Sequence, residues 1–79
     1  MKRENKRRLA RAARYIGREV GFANEILNDE EDRLDGWAEN FKDSERYNEA
    51  EGLLEDIREQ FDIITDAVAE IRSLCGITE

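Results

Sequence analysis

No proline interrupts this chain, no histidine is present, glycine occurs five times and cysteine once. A single cysteine excludes an internal disulfide and fits a reducing compartment. Without histidine the commonest general base and metal ligand is missing. No apolar run approaches the roughly 18 residues needed to cross a bilayer. The N-terminus is basic, but no apolar segment of the kind that completes a secretory signal follows it. The expectation is a cytoplasmic protein of a bacterial host, with no membrane association.

What is present is charge. Charged side chains make up 42% of the 79 residues, far above the usual quarter. Such a composition suits either disorder or long solvated helices, and the apolar spacing decides for helices. The net charge of −7 conceals a division. Residues 1–18 carry eight Lys/Arg against one acid, Glu4, whereas residues 19–79 carry five bases against nineteen acids. Segments of opposite sign point to an interaction surface or a self-complementary assembly, and say nothing about fold.

In the second half Tyr47, Ala50, Leu54, Ile57, Phe61, Ile64, Val68, Ile71 and Cys75 alternate at spacings of three and four without a break. This is the pattern of a helix packed lengthwise on another helix. Leu53, Ala67 and Leu74 widen the stripe on one flank. Ser44 suits the N-cap, Glu45 complements the helix dipole, and Gly76 suits a left-handed stop with Ile77 closing on Ile71. A helix over about 45–75 follows.

Leu9, Ala13, Ile16, Val20, Ala23, Leu27, Leu34, Trp37 and Phe41 keep the same alternation in the first half, with Glu30 as the interruption. Gly36 is the natural left-handed stop, which predicts a helix over about 5–35 and a connection over 36–44. A continuous helix to Phe41 competes with that reading. The chain is therefore expected to be one all-α domain, an antiparallel helical hairpin over residues 1–79, with residues 1–8 as a basic arm. Dimerisation into a four-helix bundle or coiled-coil-like assembly is the expected way to complete it, because a chain of this size rarely gains more than about 3–5 kcal/mol from its own core.

Two further stripes on the first helix exceed what a bare hairpin needs. Ala12, Tyr15, Phe22 and Ile26 extend the apolar face on one flank, and Ala10, Gly17, Gly21, Asn24 and Asn28 form a run of small residues on the other. Each glycine costs about 1 kcal/mol against alanine inside a helix, and close helix approach is one reason to carry it. The expected self-association or partner interface is Ala12, Tyr15, Phe22 and Ile26 with Leu53, Ala67 and Leu74.

The segment DGWAENFKDSERY over residues 35–47, followed by NEAEGLLEDIREQFDIITDAVAEI, resembles a group of small proteins common in bacteriophages and prophages of Gram-positive bacteria. In that group an acidic helix ends in D-N-(L/M)-P-E-N-L-Q, then S-E-R-Y or S-E-R-G, then acidic-apolar heptads. Asp35, Glu39, Asn40, Ser44, Glu45, Arg46 and Tyr47 match, Gly36 replaces Asn, and Ala38 replaces Pro. The resemblance covers about half the chain and implies a mobile-element origin; it implies no activity.

Catalysis is not expected. No Ser or Cys stands beside a base, no glycine-rich phosphate loop occurs, and two packed helices enclose no pocket. The acidic run Asp29 to Asp32 with Asp35 fails as a calcium loop. With Gly36 as the sixth position, Arg33 falls at the third and Lys42 at the twelfth. No metal or cofactor is expected. Cys75 reads as a small buried hydrophobe.

The cations Arg7, Arg8, Arg11, Arg14 and Arg18 and the acids Asp56, Glu59, Asp62, Asp66 and Glu70 fall on outward positions. They are expected to make ionic contacts with a neighbouring copy or a partner. The functional expectation is a non-enzymatic protein-interaction module that forms a homo-oligomer, preferably a dimer, and binds a protein partner. One alternative is an anti-defence inhibitor whose acidic face imitates DNA before a host nuclease or DNA-binding protein. Another is weak nucleic-acid binding by the basic arm, which the acidic remainder opposes.

Overall fold

The computed structural model describes residues 1–37, 41 and 44–76. Two helices, α1 (Arg3–Asp35) and α2 (Glu45–Leu74), account for the described secondary structure, and no strand occurs among the described residues. They lie antiparallel. Gly17 faces Val68, and Arg58 reaches back to Asn28 and Glu31. The result is a rod of 60 × 15 × 14 Å, as expected of helices of 33 and 30 residues rising 1.5 Å per residue.

Each helix end has a local cause. Ser44 Oγ accepts the Tyr47 amide at 3.2 Å and starts α2, with Glu45 in the first turn. At the other end Cys75 N–H bonds to Ile71 O, and Gly76 takes φ +69°, the left-handed stop that glycine permits. The expected closure by Ile77 lies outside the described residues, as do Ala38 to Asn40, Lys42 and Asp43 of the connection.

Gly36 departs from expectation. Helix α1 does end before it, and the continuous helix to Phe41 does not form, yet Gly36 has φ −81°, ψ −3°, a right-handed conformation. The carbonyls of Asp32, Arg33 and Leu34 are satisfied by a tightened last turn, through Gly36 and Trp37 amides at 3.1–3.2 Å. No reversal into the left-handed region is then required. This exit sets Trp37 edge-on against Tyr47 of α2, with ring centroids 5.6 Å apart.

The seam between the helices is rotated from its expected position. Ala10, Ala13, Val20, Leu27 and Leu34 of α1 are buried, with Gly17 and Asn24 half-buried between them. Leu9 and Ile16, which the spacing assigned to the seam, remain 48% and 47% exposed. Positions 13, 20, 27 and 34 serve both registers; the small residues at 10 and 17 displace Leu9 and Ile16, while Ala23 and Asn24 are both half-buried. The reason is steric. With no Cβ at Gly17, Val68 of α2 comes close enough that its Cγ1 lies 3.5 Å from where one would stand, and close approach increases dispersion contacts along the seam. Helix α2 turns in the same sense: Arg58 and Arg72 are half-buried, while Ile64 and Ile71 are 37% and 39% exposed.

An added Cβ at Gly17 stands at an ordinary contact distance from Val68, and one at Gly21 has nothing within 4 Å, so helix approach requires glycine at neither position. A methyl at either position meets at most ordinary van der Waals contact. Gly17→Ala and Gly21→Ala are therefore each expected to stabilise the helix by about 1 kcal/mol. For a chain of this length each should raise Tm by roughly 4–8 °C, read by thermal circular dichroism. Gly17→Leu should lower it, since a branched side chain has to push α2 away.

Candidate protein-interaction surface

The hairpin has two unlike flanks. On one, Arg58 Nη2 contacts Glu31 Oε2 at 2.7 Å and Asn28 Oδ1 at 3.1 Å, tying α2 to α1. Glu31, Asp35, Glu51 and Glu55 line the groove around this cation. The pair is partly exposed, so its contribution is modest, but it fixes which residues share the flank.

The opposite flank is apolar. Going round α1 from the seam, the next rows are Leu9, Ile16, Ala23 and Glu30, then Ala12, Glu19 and Ile26. On α2 they are Ala50, Ile57, Ile64 and Ile71, then Leu53, Gln60, Ala67 and Leu74. Ile26, Leu53 and Leu74 are 64%, 60% and 75% exposed, in addition to the half-exposed Leu9 and Ile16. Within those rows only Glu19, Glu30 and Gln60 are polar. Scattered surface leucines are ordinary, whereas these apolar side chains run contiguously along both helices.

Of the residues expected at an interface, the structure gathers Ala12, Ile26, Leu53, Ala67 and Leu74 on this face. It does not bring Tyr15 and Phe22 there. They lie on the back of α1, diametrically away from α2, and are 52% and 48% exposed. Leu9, Ile16, Ile64 and Ile71 are members of the face that the spacing had placed in the seam. The signal that could have found them is the small-residue run Ala10, Gly17 and Asn24, which competes for the same contact.

On the back of α1 each aromatic carries an arginine one turn before it. Arg11 Cζ is 5.6 Å from the Tyr15 ring centroid, and Arg18 Cζ 5.8 Å from that of Phe22. Arg11 Nη2 also donates to Tyr15 Oη at 3.1 Å. That hydrogen bond, then the charge of Arg11, holds the Tyr15 phenol below its ordinary pKa and raises Arg11 in return. The shift stabilises the phenolate, so any stability it confers is present only in alkaline solution, above the ordinary tyrosine pKa, and is lost as pH falls through the lowered value. The difference in ultraviolet titration between the protein and Tyr15→Phe isolates this group; its midpoint should rise towards that of free tyrosine in Arg11→Ala.

Arg7, Arg8 and Arg14 join Arg11 and Arg18 on the exposed side of α1. Asp56 and Glu70 share an outward row of α2 with Ile63, Glu59 and Asp66 occupy another, and Asp62 lies on a third; all are exposed. No polar or charged residue is buried among those described, which leaves none of their carboxylates desolvated. Among the described residues no group of three or more His, Cys, Asp or Glu could hold a metal ion, and no helix is long and apolar enough to cross a membrane. Cys75 is half-buried at the open end of the hairpin. Comparison with protein-family models, curated proteins and solved structures yields no match, so the functional reading rests on the residues themselves.

Proposed function

We propose that this chain is a protein-interaction module that self-associates through the apolar face, two hairpins forming a four-helix bundle. It presents the arginine–aromatic back of α1 to a protein partner. The observation that carries this is the exposure of Leu9, Ile16, Ile26, Leu53 and Leu74 along one flank. The buried apolar residues among those described are Ala10, Ala13, Val20, Leu27, Leu34 and Val68, two of them alanines. A core this slight leaves the lone hairpin marginal, and covering the apolar face adds the missing burial. An isologous dimer is the smallest closed assembly that covers it in both copies.

Tyr15 and Phe22 stay outside such a bundle. Aromatic and arginine side chains are the types enriched in interface hot spots, which supports the second contact on that side. Sedimentation equilibrium over a wide concentration range tests the first part. A dimer is expected, and a monomer at every accessible concentration overturns the reading.

A further inference from the structure

We infer that the two copies pack end over end, the open end of one hairpin against the loop end of the other. This rests on the self-association proposed above and assigns the partner's orientation. A two-fold axis relating two copies of one face lies in the plane of that face. It runs either along the helices, placing like ends together, or across them, placing opposite ends together. Both arrangements make every neighbouring helix pair antiparallel, so the helix dipoles do not choose between them.

Side-chain charge does. Gly17 lies opposite Val68, so residues 1–19 share an axial level with residues 66–76. Together these carry nine bases and four acids, a net +5, whereas the described residues of the loop end, 20–37, 41 and 44–65, carry three bases and thirteen acids, a net −10. Packing like ends together sets +5 on +5 and −10 on −10. The end-over-end arrangement sets +5 on −10 twice. Packed helices lie about 8–10 Å apart and the outward charges lie further apart than that, against a Debye length of about 8 Å in physiological salt, so the difference between the two arrangements is largest at low salt.

The face also permits the rotation. Its apolar residues run from Leu9 to Ile26 on α1 and from Leu53 to Leu74 on α2, centred near residue 20 of α1. Turning one copy over about that level sets Ile16 opposite the partner's Ala23, and Ile57 opposite the partner's Leu74.

The test uses spin labels on a Cys75→Ala background, at Asn5→Cys near the open end or Asn48→Cys near the loop end; both positions are exposed and neither change alters charge. Sedimentation of the labelled protein comes first, then pulsed dipolar distance measurement. At 1.5 Å per residue, the end-over-end dimer separates the two Asn5 labels by about 45 Å and the two Asn48 labels by about 50 Å. Like ends together bring each pair within about 25 Å, the width of two packed helices. A dimer with both distances long supports the inference; a dimer with both short overturns the orientation and leaves self-association standing. A monomer overturns self-association and the orientation with it.

Discussion

Ile16→Asp combined with Ile64→Asp is expected to convert the proposed dimer to a monomer in which each chain remains helical. Ile16 is 47% exposed and Ile64 37%, so covering what remains of each contributes about 1 kcal/mol. An isologous dimer contains both residues twice, which brings the loss to about 4 kcal/mol, or roughly a thousandfold in dissociation constant. Desolvating four carboxylates against an apolar surface adds to that loss. Sedimentation velocity reads the outcome, and circular dichroism checks that the helices persist. Phe22→Asp is the matched control: an apolar residue of similar exposure, on the same helix, turned away from the face. It should leave the sedimentation coefficient unchanged and weaken only contacts made by the back of α1. If Phe22→Asp dissociates the protein while the isoleucine pair does not, the interface is the arginine–aromatic side and the proposed face is wrong.

The elements were legible because their signals are local. The unbroken three-four spacing from Tyr47 to Cys75, Ser44 three residues before an amide it can cap, and Gly76 at a left-handed stop each act within a turn or two. The rotation of α1 about its own axis was not legible in the same way. Leu9 and Ala10 are adjacent, as are Ile16 and Gly17, and apolar spacing alone favours the larger member of each pair for the seam. The structure chooses the smaller, because helix approach depends on what the other helix offers; Val68 at Gly17 is a property of the pair and not of either stripe. The same rotation explains why the spacing marks Ala12, Ile26, Leu53, Ala67 and Leu74 as surplus apolar surface yet assigns Leu9, Ile16, Ile64 and Ile71 to the seam. Gly36 shows the limit of a single-residue rule: glycine marks the helix end, yet hydrogen bonding in the last turn removes the need for its left-handed conformation.

Leu27→Ala should unfold the hairpin at low concentration, and Leu9→Ala should not, although the apolar spacing ranks the two alike. Leu27 is 5% exposed and lies between the helices, at the level of the half-buried Arg58 of α2. Removing a buried leucine side chain costs about 2–5 kcal/mol, the larger figure where the surroundings cannot collapse into the space. A two-helix rod has little freedom to collapse without breaking the Arg58 contacts to Asn28 and Glu31. That loss matches the whole of the roughly 3–5 kcal/mol available to a core of this size, so helical signal near 222 nm should fall by most of its amplitude. Leu9 is half-exposed, and its truncation in the lone hairpin should stay within about 0.5 kcal/mol. At concentrations where the dimer forms the two variants should diverge differently. Association stabilises whatever folded state it binds, so Leu27→Ala should regain helicity as protein is added and its Tm should become steeply concentration-dependent. Leu9→Ala should show the reverse defect, a near-normal hairpin whose dimer dissociates more readily. Equal destabilisation by both at low concentration would place Leu9 back in the seam and remove the apolar face from which self-association is argued.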